Sequence, residues 1–298
     1  MHFADRLLAA CEDKGAPVCA GIDPVFERLP RDLRGDAAGP RDAPHAVEAI
    51  GRFVRGVLEA VRPHVPCVKL QSACFERYHW RGVKLYDDMV REARAMGLIV
   101  IGDAKRGDIG ISAAHYAAGC LADDVDAPGP DALTVNGYLG GDSLEPLIDV
   151  AAAQGKGLFA LVRTSNPGGD ALQGLKLDDG RSVGEAVADL VAQQGEAHVG
   201  ERGYSLLGAV VGATKPADAA SLRRHMPRQI FLVPGFGAQG GGADDVRACF
   251  KADGTGAIIT ASRSVNYAFE KAPEADWKQA IEAAALDLRQ QIRGILRR

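Results

Sequence analysis

The sequence predicts an α/β fold, a single (β/α)8 TIM barrel over residues 1–298. Two observations lead to this prediction. Eight short apolar runs recur along the chain, and most are separated by segments with helical periodicity. Strands that alternate with helices pair in parallel through right-handed crossovers, and eight such units fit a closed barrel of this length.

The predicted strands are rich in aliphatic and β-branched residues. They span residues 18–22, 67–70, 98–101, 132–135, 157–162, 206–211, 230–233 and 257–261. An open doubly wound sheet is the alternative arrangement of such units. The absence of a Gly-x-Gly-x-x-Gly turn after the first strand disfavours it.

Two apolar stripes at helical spacing predict long helices. One stripe comprises Val47, Ile50, Val54, Val57 and Val61, and the other comprises Trp277, Ile281, Leu288 and Ile292. A further helix is expected to begin near Pro216, because proline is favoured in a first helical turn. Ser143 is a candidate N-cap for another helix.

Two long stretches, 24–44 and 166–181, interrupt the alternation of strands and helices. Each follows a predicted strand, so in a barrel both lie on the face that carries active sites. Loops of this length in a compact domain are usually functional or mobile.

The composition excludes several classes of protein. The net charge is −4 and there is no basic block, so neither nucleic-acid nor membrane binding is predicted. No apolar run reaches the length of about 20 residues that spans a bilayer. The first residues lack a signal peptide's apolar segment, so a cytoplasmic protein is expected. Six cysteines without a Cys-x-x-Cys pair are interpreted as reduced thiols.

Polar residues follow several of the predicted strands, and the carboxyl ends of barrel strands converge. They are Asp23, Lys69 with Gln71, Asp103 with Lys105, Thr134 with Asn136, and the run 163–166. Lys69 lies within an apolar run, where an unpaired charge is costly, and is therefore a functional candidate. Asp103 and Lys105 share one face of a strand. Asp108 follows beyond Gly107 and need not join the same site.

A phosphate site is predicted after the seventh and eighth strands. Residues 233–242 are glycine-rich, so their backbone amides could cradle an anion, with Gln239 adding a side-chain donor. Arg263 follows the eighth strand, and loops at these two positions are the recurrent phosphate site of this fold.

The remaining signals argue against a metal or a nucleophilic triad. A hard metal ion requires several carboxylates together, whereas lysines stand among the carboxylates here. No Gly-x-Ser-x-Gly elbow or Ser-His-Asp order is present. Most of the histidines lie on predicted helices and are interpreted as structural.

The chain resembles the orotidine 5′-phosphate decarboxylase family in its longer bacterial form, type 2. The matching stretches follow the family order over nearly the whole chain. They are Gly21-Ile22-Asp23-Pro24, Val68-Lys69 with Gln71 and Phe75-Glu76, 103–109, 134–136 with 138–140, 163–168, 210–214, 234–241 and Ser262-Arg263.

The resemblance implies a cofactor-free, metal-free carboxy-lyase that converts orotidine 5′-monophosphate to UMP and CO₂, the last step of de novo pyrimidine nucleotide synthesis. It implies that Lys105 protonates C6 of the pyrimidine, that Asp103 lies against the substrate carboxylate, and that Lys69 completes the charge network. It also implies a homodimer with shared active sites, in which Asp108 reaches the neighbouring site.

The resemblance further implies a set of substrate-binding residues. They are Asp23, Ser112, Thr134, Ser165, Gly235, Gly237, Gln239, Gly240 and Arg263. The chain departs from the family pattern at three positions. Ser112 replaces a usual threonine and keeps its hydroxyl, whereas Leu70 and Gly137 replace common prolines.

Two other functions are compatible with parts of this pattern. A magnesium-dependent sugar-phosphate decarboxylase or synthase of the same superfamily shares Asp-x-Lys-x-x-Asp, but typically has an acidic residue near the end of the second strand, where this chain has Lys69. A non-catalytic protein that binds nucleotide phosphates is the second alternative. It has no need of a carboxylate such as Asp103 beside the carboxylate of its ligand.

Overall fold

The computed structural model describes residues 1–35, 39, 42–124, 127–212, 216–236, 243–272 and 276–297. Within these ranges, eight parallel strands close into a barrel in which each strand pairs with the next and the eighth pairs with the first. The strands are β1 (Val18–Ile22), β2 (Cys67–Gln71), β3 (Ile99–Arg106), β4 (Ala132–Val135), β5 (Gly157–Arg163), β6 (Leu207–Val211), β7 (Phe231–Pro234) and β8 (Ala257–Ala261). The predicted (β/α)8 barrel is confirmed and the open sheet is excluded.

The strand bounds agree with the sequence patterns to within one residue at each end, except at the end of one strand. β3 continues to Arg106, well past the apolar run that predicted it. Asp103, Lys105 and Arg106 in this extension are charged, so hydrophobicity alone could not reveal where the strand ends. Asp108 lies beyond the end of this strand, as expected.

Helices cover the outside of the barrel. They are α1 (Phe3–Lys14), α2 (Arg31–Arg34), α3 (Ala43–Val61), α4 (Ser72–Glu76), α5 (His79–Ala95), α6 (Gly110–Cys120), α7 (Glu145–Gln154), α8 (Asp170–Gln173), α9 (Val183–Gln194), α10 (Pro216–His225), α11 (Ala243–Arg247), α12 (Arg263–Asn266) and α13 (Trp277–Leu296). Both predicted stripes form the buried faces of long helices, α3 and α13, which pack against each other. Phe53 meets Trp277 there at 5.5 Å between ring centroids.

The two helix-start predictions have different outcomes. α10 begins at Pro216, as expected. The prediction for Ser143 was wrong, because this residue ends a 3-10 turn (Gly141–Ser143) and its hydroxyl donates to the Gly140 carbonyl at 2.6 Å. α7 begins only at Glu145, without a side-chain cap.

The long stretches after β1 and β5 are less irregular than the sequence indicated. The first contains a 3-10 turn (Phe26–Arg28) and α2, and the second contains a 3-10 turn (Pro167–Gly169) and α8. Both follow strand ends on the carboxyl side of the barrel.

The amino end of the barrel is closed by α1. Phe3 packs edge-on against Phe159 at 6.0 Å between ring centroids, and Arg6 donates to the buried Asp131 at 2.9 Å. The carboxyl end of the barrel is therefore the open end.

All six cysteines are free thiols, which agrees with the sequence interpretation. Among the described residues, no helix combines the length and apolar character needed to cross a membrane.

Candidate active site

A cavity of about 350 Å³ opens at the carboxyl ends of the strands. Its floor includes three apolar side chains that point into the barrel, Leu161, Val210 and Leu232. Its rim is polar and charged. The cavity therefore offers a dry base beneath a set of fixed charges.

The Asp103 carboxylate is the centre of the charged rim. Its Oδ2 accepts hydrogen bonds from the ammonium of Lys69 and from Gln71 Nε2 at 3.1 Å. Its Oδ1 accepts from Lys105 Nζ at 2.5 Å and from Thr134 Oγ1 at 2.9 Å. Two donors on each oxygen fix the orientation of the carboxylate, because any rotation would break several bonds at once.

Opposite charges keep this cluster ionised despite its burial. Burial disfavours the charged form of Asp103, but the ammonium groups of Lys69 and Lys105 outweigh it and hold the pKa of the carboxyl at about 2. Burial likewise acts to lower the pKa of Lys69, yet Asp103 and Asp23 raise the pKa overall. Asp103 and Lys69 therefore carry their charges at neutral pH.

Lys105 stands on an unusual backbone. Its φ is 50°, in the left-handed region, and the register between β3 and β4 shifts between Gly102 and Arg106. Its N–H donates to Thr134 Oγ1 at 3.0 Å. The local bulge presents the Lys105 ammonium at the cavity, with 46% of its side chain exposed.

Asp23 is held by the segment that follows β8. The Tyr267 hydroxyl donates to the Asp23 carbonyl at 2.8 Å and accepts from the Val25 N–H at 3.0 Å. Asn266 donates to the Gly21 carbonyl at 2.7 Å. These bonds tie the end of β1 to α12, which begins at Arg263.

Gly21 is required by close packing at the same junction. A Cβ atom at this position would lie 2.0 Å from Ser262 Oγ. The absence of a side chain therefore lets the ends of β1 and β8 approach each other.

The predicted phosphate site is described in part. Gly235 and Arg263 line the cavity, as the sequence predicted. Gly237, Gln239 and Gly240 lie outside the described residues. The arginine alone places a permanent positive charge at this side of the cavity.

Other predicted residues divide into two groups. Asp23, Thr134 and Ser165 line the cavity together with Lys69, Asp103 and Lys105. Asp108 and Ser112 lie apart from the lining of this cavity in the part of the chain that is described. The Asp108 carboxylate accepts the N–H of Ile109 at 2.8 Å, and Ser112 is exposed on α6.

Sequence reasoning missed Thr260 and gave Gln71 no role. Thr260 is buried in the lining of the cavity, and its hydroxyl has no hydrogen-bond partner among the described residues. Alternation along β8 could have found it, because Ile258, Thr260 and Ser262 follow at the spacing that points inward. Within the same described ranges, no group of three or more His, Cys, Asp or Glu side chains could hold a metal ion.

Comparison with known proteins agrees with this geometry. The model of the orotidine 5′-phosphate decarboxylase / HUMPS family matches residues 44–279. Orotidine 5′-phosphate decarboxylase of Rhodopirellula baltica is 42% identical over 99% of this chain and 100% of its own length. The Deinococcus radiodurans enzyme of the same name is 43% identical over 99% and 98%, respectively.

Solved structures give the same result. A candidate orotidine 5′-phosphate decarboxylase from Streptomyces avermitilis superposes with a TM-score of 0.82 at 38% identity, covering 100% of this chain and 96% of that one. The OMP decarboxylase of Leishmania donovani superposes with a TM-score of 0.76 at 29% identity, with full coverage of both chains. The chain belongs to the orotidine 5′-phosphate decarboxylase / HUMPS family.

Proposed function

We propose that this protein removes the carboxylate of orotidine 5′-monophosphate, giving UMP and CO₂, with residues 1–298 acting as one catalytic domain. The observation that carries the proposal is the arrangement of Lys69, Asp103 and Lys105 in a cavity that Arg263 also lines. A fixed carboxylate between two ammonium groups suits a reaction in which one negative charge leaves and another develops beside it.

Asp103 would act on the leaving group. With the substrate carboxylate placed about 4 Å from it, the repulsion is worth about 4 kcal/mol at an effective dielectric constant of about 20. That repulsion disappears as neutral CO₂ forms. The apolar floor of Leu161, Val210 and Leu232 receives CO₂ more readily than a carboxylate, because it offers no hydrogen bonds to a charge.

Lys105 would act on the carbon that loses CO₂. Its ammonium stabilises the negative charge that develops at C6 and then donates a proton to that carbon. The bond from C6 to the carboxylate breaks, its electron pair stays on C6, and a new C–H bond takes the proton from Nζ. The position of Nζ is supported by its hydrogen bond to Asp103, which holds the ammonium group at the cavity.

The rest of the nucleotide would be bound around the rim. Arg263 and Gly235, with Gln239 in the glycine-rich segment, would hold the phosphate. Asp23 and Lys69 would contact the ribose, and Ser165 would contact the base. Binding energy from the phosphate, remote from C6, could then be used to position the reacting carbon.

A homodimer with shared sites is part of the proposal. Several large apolar side chains are exposed on the segments that follow β3 and β4, beside Asp108 and Ser112. They are Ile109, Ile111, Tyr116, Tyr138 and Leu139. Such a cluster is typical of a surface that becomes buried by association. Contact there would bring Asp108 and Ser112 towards the active site of a second copy.

The test is direct turnover of orotidine 5′-monophosphate by purified protein. Loss of substrate absorbance should proceed in the presence of EDTA, and UMP and CO₂ should form in equal amounts. Activity that requires Mg²⁺ and a sugar phosphate would instead support the synthase-type alternative. Tight UMP binding without turnover would support the binding-protein alternative and refute the proposed reaction.

A further inference from the structure

We propose that Arg163 is a positioning residue that holds the Ser165 edge of the active site in place. The inference rests on the proposed function, because it assigns Ser165 a contact with the base. Arg163 is the last residue of β5 and is 6% exposed. It lies outside the lining of the cavity, whereas the next three residues, Thr164, Ser165 and Asn166, all belong to it.

The Arg163 guanidinium joins two different loops of the barrel rim. Its Nη2 donates to Asp170 Oδ1 at 2.5 Å, in α8 of the segment after β5. Its Nε donates to Asp218 Oδ2 at 2.8 Å, in the first turn of α10 after β6. The two carboxylates outweigh burial and raise the pKa of Arg163, so the link is permanently charged.

A third bond carries the constraint to the cavity. Arg163 Nη1 donates to Gln173 Oε1 at 3.2 Å, and the same oxygen accepts the Thr164 N–H at 2.9 Å. Gln173 Nε2 in turn donates to Thr164 Oγ1 at 2.9 Å. Gln173 therefore fixes the residue directly before Ser165, and Arg163 fixes Gln173.

Ser165 is also confined from the side of β6. The Arg163 carbonyl accepts the Gly212 N–H at 2.8 Å, and a Cβ at Gly212 would lie 3.0 Å from the Ser165 Cα. Ser165 thus lies directly against the backbone at Gly212, the residue that follows β6. The guanidinium network on one side and this backbone on the other define where the Ser165 hydroxyl can lie.

An arginine is needed because three acceptors surround one buried cation. The planar fork reaches Asp170, Asp218 and Gln173 at once, which a lysine ammonium on a flexible stem cannot do with the same geometry. Loss of the guanidinium would remove the bonds that join Asp170 in one loop to Asp218 in the other. The expected defect is in base recognition rather than in phosphate binding.

The experiment compares a ligand that contains a base with one that lacks it. UMP and ribose 5-phosphate are titrated into the wild type, Arg163→Met, Arg163→Lys and the control Arg181→Met. Arg181 also pairs with two aspartates, Asp179 and Asp189, and lies at the far end of the same segment. KM and kcat are measured in parallel, together with hydrogen exchange of the Thr164–Asn166 amides.

We expect Arg163→Met to weaken UMP binding and raise KM on the order of tenfold, with ribose 5-phosphate affinity unchanged within about twofold. Arg163→Lys should show an intermediate loss, and it replaces the Met variant if that one does not fold. Exchange of the three amides should accelerate in both, and Arg181→Met should match the wild type.

Equal losses for both ligands, or an unchanged UMP affinity, would overturn the inference. Unchanged amide exchange would also overturn it, whatever the ligands do. Failure of the wild type itself to turn over orotidine 5′-monophosphate would refute the proposed function, and the exchange rates would still decide whether Arg163 positions this edge.

Discussion

Lys69 and Asp103 form a buried ion pair between the adjacent strands β2 and β3. Each residue is only 6% exposed, and the register places Lys69 beside Ile101, two residues before Asp103. Removing Asp103 would leave Lys69 with Asp23 at 3.9 Å, and removing Lys69 would leave Asp103 with Lys105, so either change destabilises the barrel and also rearranges the remaining charges. The pair is therefore better probed by titration than by single deletions.

Protonation of Asp103 at low pH should lower the free energy of unfolding. Its pKa is about 2 in the folded protein and 3.8 ordinarily, so the unfolded chain binds the proton first as the pH falls. The stabilisation is complete above about pH 4 and is lost as the pH falls towards 2, with about 1 kcal/mol lost between pH 5 and pH 3. Urea unfolding at these two pH values measures it.

The matched control removes both charges. In the double variant Lys69→Met with Asp103→Asn, the free energy of unfolding should fall less between pH 5 and pH 3 than in the wild type. An identical pH dependence in the two proteins would contradict the assignment of this loss to Asp103.

Lys105→Ala should nearly abolish turnover. A general acid contributes about 10² to 10⁴ in rate, and the loss of charge at C6 adds to that. UMP should still bind measurably, because the groups assigned to its phosphate and ribose remain. Lys84→Ala, which removes an exposed lysine paired with Asp88 on α5, serves as the control and should keep full activity. Turnover by Lys105→Ala at the wild-type rate would exclude Lys105 as the proton donor.

Mixing two inactive variants should restore activity if sites are shared. Asp108→Asn retains Lys105, and Lys105→Ala retains Asp108, so a mixed dimer contains one intact site. Random exchange of equal amounts should give roughly a quarter of the wild-type activity. Native mass spectrometry checks that mixed dimers form. Mixed dimers without any recovered activity would contradict the shared site.

Tyr267→Phe should weaken the end of β1. The variant loses the hydroxyl that binds the Asp23 carbonyl and the Val25 N–H, at a cost of about 1–3 kcal/mol in unfolding free energy. Because Asp23 then moves more freely, KM should rise more than kcat falls. Tyr204→Phe, which loses the hydroxyl contact with Thr255 away from the lining of the cavity, is the control and should leave KM unchanged. Equal stability of Tyr267→Phe and the wild type in urea would show that these two bonds contribute nothing.

The barrel itself could be predicted from periodicity, because each strand buries a short apolar run and each long helix buries a stripe. The exact end of β3 could not be predicted from hydrophobicity, although alternation placed Asp103 and Lys105 on one face of that strand. Asp103 and Lys105 are strand residues whose polarity reflects the cavity they face, and the left-handed backbone at Lys105 leaves no trace in hydrophobicity. The prediction that Ser143 caps a helix was wrong for a related reason. A hydroxyl just before a helix can bond within the preceding turn instead of capping the helix.

The individual site residues were predictable where a charge interrupts an apolar run, as at Lys69. Connections between distant segments were not. The bonds from Tyr267 to Asp23 and from Arg163 to Asp218 join residues that are far apart in the chain, and nothing in the local sequence of either partner indicates them. Thr260 was not predicted because its neighbours in β8 are apolar, although the alternation of side chains along that strand indicates that Thr260 points into the barrel.

The left-handed backbone at Lys105 has a consequence for how this position can vary. An L-residue there costs about 1–2 kcal/mol, whereas glycine adopts the same φ at ease. Glycine at this position would remove that backbone cost, but it would also remove the ammonium group that pairs with the buried Asp103. A lysine is therefore tolerated in the left-handed region here because its ion pair with Asp103 offsets the backbone cost.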